Sequence, residues 1–265
     1  MHSVAYPRAA AVSPRVEVVA STGSTNEDAA AAASSDPSGW PHLSVLLTTD
    51  QTAGRGRLDR HWTAPAGSAL AVSVVVRIPG IPLADRGWVP LIAGAAMTRA
   101  IGAQLRDSGH SATLKWPNDV LVDGGKICGI LAMAVAREAD AVVIGSGINT
   151  RMTLAELPVP TAISFAAIGR TVDEDRLLAD YLVALDEQLT ALATAHGDAV
   201  QAGVHAEIEA LCSTLGAQVR VALPDGSMLE GRAQRLDRDG RLVVVAGTRE
   251  TAVSAGDVVH VRPAP

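Results

Sequence analysis

The chain is poor in cysteine and in aromatic residues and has no long apolar run, and each shortage removes a class of protein. Its two cysteines, Cys128 and Cys212, stand far apart with no CxxC spacing. Neither a disulfide framework nor a zinc site is indicated, and a reducing cytoplasm fits best. No stretch of about 18 apolar residues occurs, and no basic segment followed by an apolar run opens the chain, which argues against a membrane span and a secretory leader. The formal net charge of −6 leaves no basic surplus for DNA or an acidic membrane. Aromatic residues make up only 3% of the 265 positions, so the core must be built mostly from Ala, Val, Leu and Ile. The 48% hydrophobic content suffices for one large or two unequal domains. The chain also lacks a G-x-S-x-G elbow, a Walker A pattern and an HExxH motif, and its histidines are scattered. His61 reads as a polar loop residue.

What is present is a concentrated set of unusual loops. The segment Asp50-Gln51-Thr52-Ala53-Gly54-Arg55-Gly56-Arg57-Leu58-Asp59-Arg60 interleaves arginines with glycines and has no apolar periodicity. Gly54 and Gly56 let main-chain N–H groups approach a ligand, and Arg55, Arg57 and Arg60 offer planar donors that match phosphate or carboxylate. A second cluster, Lys115-Trp116-Pro117-Asn118-Asp119, is followed by Lys126-Ile127-Cys128-Gly129-Ile130-Leu131. Lys126 is suited to neutralise a carboxylate or an α-phosphate. Lys115 and Asp119 sit across the Trp-Pro-Asn turn, where they form an exposed ion pair or Asp119 orients a lysine or a hydrated Mg²⁺. Trp62 and Trp116 read equally well as core indoles and as pocket walls.

The local patterns place these residues. Val16 to Val19 is a short strand, and Ser24-Thr25-Asn26-Glu27 matches a capping box that opens an Ala-rich helix. Ser24 and Thr25 therefore cap a helix, whose free N–H groups also suit a polar ligand. Leu43 to Thr49 and Ala69 to Arg77 are strands flanking the arginine loop, and Gly87 to Asp107 is a core helix. Strands follow at Val120 to Asp123, Lys126 to Ala136 and Ala141 to Ile148, the first two joined by a Gly124-Gly125 turn. Gly145-Ser146-Gly147 leaves room for a flat ligand beside the backbone. It is only superficially a dinucleotide fingerprint, since the third glycine would fall at Thr150. Helices are expected over Glu174 to Ala195 and Asp198 to Leu215. Short strands at Gln218 to Leu223, Met228 to Leu236, Leu242 to Val245 and Val258 to Val261, with turns at Pro224-Asp225-Gly226 and Asp237-Arg238-Asp239-Gly240, predict a small β-barrel.

Five motifs in order resemble the biotin protein ligase family: Ser24-Thr25-Asn26, Gln51 to Arg57, Lys115 to Asp119, Lys126 to Leu131, and Gly145-Ser146-Gly147-Ile148-Asn149. The resemblance implies an α+β fold, with a catalytic domain like that of class II aminoacyl-tRNA synthetases over 1–215 and a small SH3-like barrel over 216–265. It implies that biotin and ATP, with Mg²⁺, form biotinyl-5′-AMP, and that a lysine of a biotin carboxyl carrier domain of an acyl-CoA carboxylase then takes the biotin. By that analogy Ser24, Thr25 and Gln51 bond the ureido ring, with Asn26 beside them, and Gly54 and Arg55 close over it. Arg57 secures the adenylate, with Arg60 as a further phosphate clamp, and Trp62 walls the pocket. Lys126 contacts the carboxyl–phosphate junction, with Lys115, Asn118, Asp119 and Gly129 around it. Gly147 gives room, and Asn149 helps recognise adenine.

One position departs from the family. A small residue, commonly glycine, usually stands between the last two basic positions of GRGRxGR, and here it is Asp59. It either pairs with Arg57 or Arg60 and weakens the clamp or points to solvent. A lipoate or octanoyl transferase of the same fold and a catalytically weakened biotin binder remain as alternatives. Some relatives repress transcription through an N-terminal helix-turn-helix, but only 23 residues precede Ser24, including Pro7 and Pro14, too few for that module. Monomer and homodimer are both open.

Overall fold

A computed structural model describes residues 6–57, 60–223, 226–254 and 257–260. Asp59 and the Pro224-Asp225 part of one expected turn lie outside the described residues.

Seven strands form the main sheet: β1 (Val16–Val18), β2 (Ser44–Thr48), β5 (Ala69–Arg77), β6 (Ala112–Lys115), β7 (Asp119–Val122), β8 (Gly125–Val135) and β9 (Glu138–Asn149). Their order is β1-β2-β5-β9-β8-β7-β6. Only β1 and β2 run parallel; the remaining pairs are antiparallel. Two further short strands, β3 (Gly54–Arg55) and β4 (His61–Trp62), pair within the arginine loop.

The sheet is covered on both faces, which explains why its central strands read as continuous apolar runs. One face carries α2 (Thr25–Ser35) and a small core in which Ala29 and Ala33 meet Leu46, Val75 and Val143. The other face carries α1 (Pro7–Val12), α3 (Trp88–Gln104) and α4 (Glu174–Thr194). There Val72, Val74 and Ile144 pack against Ile92, Leu182 and Leu185 in a single large cluster. The N-cap half of the expected capping box forms, with Ser24 Oγ accepting from the Glu27 amide, while the Glu27 carboxylate turns to Arg55.

Several boundaries differ for physical reasons. The β7–β8 turn is Asp123-Gly124, because both residues take positive φ (49° and 83°) while Gly125 already pairs with Val122. The helix expected over Asp198 to Leu215 is reduced to α5 (Val204–Leu211). Gly203, at φ 77°, interrupts it on one side, and on the other Cys212 bridges Leu114 of β6. Helix α1 and strand β6 were not read from the sequence, being short and weakly periodic.

The C-terminal segment folds into β10 (Gln218–Ala222), β11 (Met228–Leu236), β12 (Leu242–Ala246), β13 (Arg249–Val253) and β14 (Asp257–His260). They form an antiparallel sheet in the order β13-β12-β11-β10-β14. This is the small SH3-like unit that the sequence predicts; among the described residues it is not closed, since β13 and β14 are the two edges and do not pair. Strand β13, with its polar Arg-Glu-Thr start, was missed because it lies at an edge and alternates weakly. The apolar face of this sheet, including Val219, Ala233 and Leu242, joins the large cluster of the main sheet.

Candidate active site

The α2 face of the main sheet ends in a patch of small residues. Pleating turns every second side chain towards one face. In β5 these are Ala71 and Ser73, in β9 Gly145 and Gly147, and in β8 Gly129, which pairs with Gly147. With so little side-chain volume on the sheet, a cleft of about 160 Å³ opens above it. Two glycines are required by close approach. A methyl group on Gly145 would lie 2.2 Å from Asn26 Oδ1, and one on Gly147 would lie 2.6 Å from the Trp62 ring. The room expected beside Gly145 and Gly147 is thus partly filled by an amide and an indole. Trp62 walls the cleft, as one of its two sequence readings held.

At one end of the cleft, polar groups converge from the N-terminus of α2. The Thr25 amide and hydroxyl both donate to Gln51 Oε1, at 2.9 and 3.0 Å. This turns the other end of the Gln51 carboxamide towards Gly54, where a Cβ would come within 2.3 Å of Nε2. Buried Ser73 bonds both Asn26 Oδ1 (2.6 Å) and Thr25 Oγ1 (2.8 Å), and Asn26 Nδ2 donates to the Leu131 carbonyl at 3.0 Å. Asn26 therefore ties α2 to β5 and β8. Ser73 was missed by the sequence reading; its signal is a lone hydroxyl in the apolar run Ala69–Arg77, on the same side as Ala71.

At the other end, charges accumulate. Lys126 Nζ lies 2.6 Å from Asp119 Oδ1, and it crosses above Gly129, where a Cβ would come within 3.1 Å of the ammonium. Arg57 donates to Asn118 Oδ1 at 3.2 Å, while the Asn118 amide donates to the Ile130 carbonyl at 2.8 Å. Arg55 pairs with Glu27 at 2.7 Å on the rim; Glu27 was read only as a capping residue. Arg60 and His61 also line the cleft.

Three predicted residues do not line it. Gly54 backs Gln51. Lys115 faces Asp119 across the β6–β7 pairing, but the carboxylate of Asp119 is engaged by Lys126. Asn149 is buried, and its amide donates to the Ile163 carbonyl at 2.9 Å. Trp116 is a core residue, with its ring nitrogen bonded to the Gly240 carbonyl. Cys128 points to the opposite face of the sheet, where burial pushes its thiol well above the ordinary range. Among the described residues, no group of three or more His, Cys, Asp or Glu could hold a metal ion. Among them too, no helix is long and apolar enough to cross a membrane.

An enclosure with hydrogen-bonding groups at one end and guanidinium and ammonium groups at the other fits a small molecule next to phosphate. Comparison with known proteins agrees. Residues 18–149 match the Biotin/lipoate A/B protein ligase family, and residues 214–261 match the Biotin protein ligase C terminal domain. The chain is 39% identical over 251 residues to the biotin--[acetyl-CoA-carboxylase] ligase of Mycobacterium tuberculosis, covering 94% of this chain and 90% of that protein. It is 28% identical to the bifunctional ligase/repressor BirA of Bacillus subtilis, covering 82% of this chain and 66% of the relative. The biotin protein ligase of Aquifex aeolicus, solved in complex with biotin and ATP, has a similar fold, with a TM-score of 0.74 at 21% identity over 94% of this chain and 99% of that one. The Leishmania major biotin protein ligase bound to biotinyl-5-AMP superposes with a TM-score of 0.59 at 21% identity, covering 94% of this chain and 99% of that one. Motifs, fold and these likenesses together make this chain a member of the biotin protein ligase family.

Proposed function

We propose that the cleft is an ATP-dependent biotin-activating site that forms biotinyl-5′-AMP and delivers biotin to a lysine of a biotin carboxyl carrier domain. Among the observations that support this reading, the most direct is the Lys126–Asp119 pair inside the same cleft as Arg55 and Arg57.

Biotin presents a polar ureido ring, an apolar body and a carboxylate. The ring would sit against Ser24, Thr25 and Gln51; the two bonds from Thr25 to Gln51 and the bond from the Glu27 amide to Ser24 fix these groups before any ligand arrives. Arg55 would close over the ring while Gly54 backs Gln51, and Trp62 with the glycine floor would flank the body. The carboxylate must approach the α-phosphorus although both reactants are anionic. Lys126 and Arg57 would remove that repulsion and stabilise the charge that builds on the phosphoryl oxygens. The carboxylate oxygen then bonds to phosphorus as the bond to pyrophosphate breaks. In the second step a neutral lysine amine of the carrier attacks the anhydride carbonyl, and AMP leaves.

Asp119 would orient Lys126 in both steps, and Lys115 would add positive potential behind it. Mg²⁺ is held by one or two carboxylates together with substrate phosphates in nucleotide sites, and Asp119 is a carboxylate that lines this cleft. Bound there, the ion would neutralise phosphate charge. Asn149 would act on adenine recognition through the backbone that its amide holds. We also place the boundary between catalytic and C-terminal domains at 215/216, between α5 and β10.

Biotin-dependent exchange of labelled pyrophosphate into ATP tests the proposal. Exchange with biotin, absent with lipoate and lost in Lys126→Ala, is the expected result. Biotin binding without exchange would identify a binder and overturn it.

A further inference from the structure

The turn Asp237-Arg238-Asp239-Gly240 between β11 and β12 directs three successive carbonyl groups at the main-sheet unit. Arg238 O accepts from Trp88 Nε1 at 2.9 Å, and Gly240 O accepts from Trp116 Nε1 at 3.0 Å. Asp239 O lies so near Gly87 that a Cβ there would come within 3.0 Å. The turn is braced for this contact. Asp237 Oδ1 accepts from the amides of Asp239 and Arg241, and Arg241 pairs with Asp237 and Asp239 at 2.7 and 2.8 Å. Gly240 has φ 76°, and a methyl group on it would stand 3.0 Å from Leu91, so the carbonyl position depends on glycine.

The two indoles carry different loads. Trp88 opens α3, deep in the core. Trp116 stands just before Asn118, which accepts from Arg57, and Asp119, which holds Lys126. A cavity of about 460 Å³ bordered by Arg57, Trp116, Asn118, Asp239 and Gly240 lies beside this segment. Little packing therefore backs it on that side, and directional bonds from the turn and from Thr214, whose hydroxyl accepts from the Trp116 amide at 3.0 Å, set its place.

We propose that Trp116 is a positioning residue for the phosphate end of the cleft. The Gly240 carbonyl holds its indole, and the short segment from Trp116 to Asp119 passes that position on to Arg57 and Lys126. The inference rests on the reading of the cleft as an adenylating site. The C-terminal sheet is then a prop for catalysis as well as a covering unit.

Trp116→Phe and Trp88→Phe make the test, because each removes one N–H bond to the same turn and keeps an aromatic ring. In the full chain, Trp116→Phe is expected to raise the ATP KM for pyrophosphate exchange roughly fivefold or more, the scale of one lost hydrogen bond. It should leave the biotin Kd, set at the far end of the cleft, unchanged. Trp88→Phe should lower the Tm comparably and leave both constants alone. Equal changes in the two variants, or none in either, would overturn the inference. Amide hydrogen exchange gives a second readout that needs no activity: residues 117–130 should exchange faster in Trp116→Phe and not in Trp88→Phe. If the native protein shows no pyrophosphate exchange at all, the adenylating reading fails, and amide exchange decides the positioning claim by itself. Should Trp116→Phe fail to fold, Gly240→Ala displaces the accepting carbonyl instead, and the same rise in ATP KM is expected.

Discussion

Lys126 Nζ stands 2.6 Å from Asp119 Oδ1, with the lysine side chain 43% exposed and the carboxylate 20%. The ammonium is oriented yet reachable from the cleft, so the pair matters for chemistry more than for stability. Lys126→Ala is expected to lower kcat for pyrophosphate exchange by roughly 10²- to 10³-fold. Asp119→Asn, which keeps the shape and releases the lysine, should cost roughly ten- to a hundredfold through misplacement. Such a half-exposed pair contributes under about 1 kcal/mol, so thermal unfolding should hardly move in either variant. A large drop in Tm accompanying the kinetic loss would argue for a structural role instead.

Gly147 and Trp62 are in direct contact, and a methyl group on Gly147 would lie 2.6 Å from the indole. Gly147→Ala should push the ring into the cleft and weaken biotin binding, measured by titration calorimetry, by tenfold or about 1.4 kcal/mol. Trp62→Ala in the same chain should recover part of that loss, giving a coupling energy beyond the sum of the single changes. Strict additivity would show that the two residues act on biotin separately.

Arg55 is tethered to Glu27 at the N-terminus of α2 by an exposed contact of 2.7 Å. The arginine loop is charged, rich in glycine and held by the two-residue pairing of β3 and β4. Trypsin is expected to cut at Arg55, Arg57 or Arg60 in the free protein and to spare them with biotin and ATP. Glu27→Gln should speed the cut without ligand. Identical digestion in all three conditions would rule out ligand-dependent protection of these sites.

Asp173 caps α4, accepting from the Arg176 amide at 3.0 Å, and Arg8 lies 2.6 Å away. The amide bond and the nearby guanidinium hold its carboxyl below the ordinary range. A depressed folded pKa means that the stabilisation is complete above the unfolded value and fades as pH falls through the folded one. Asp173→Ala should cost about 1 kcal/mol at neutral pH, the usual effect of losing a cap. The gap between native and variant Tm should narrow as pH drops below about 4. A gap that stays constant into acid would deny the carboxylate this role.

The site was largely legible because its motifs are local. Ser24, Gln51, Arg57 and Lys126 were found from short segments whose residue types already state their chemistry. Ser73 and Glu27 were not, because each acts through a partner distant in the chain: Ser73 through Asn26, Glu27 through Arg55. Trp116 had two readings that no periodicity could separate, since a buried indole and a pocket wall look alike until the neighbours are known. Cavity and core are distinguished by what lies opposite.

By itself, then, the sequence determined the longer strands, the capped helix, the glycine and arginine chemistry and the family, since these depend on backbone preference and side-chain type within a few residues. Tertiary structure alone decided that Asp119 serves Lys126 rather than Lys115, and that the glycine face receives Trp62 and Asn26. It also decided that the described C-terminal strands form a sheet with β13 and β14 at its edges, seated on two tryptophans. Those outcomes depend on strand order and register, which bring together residues whose separation along the chain carries no local signal.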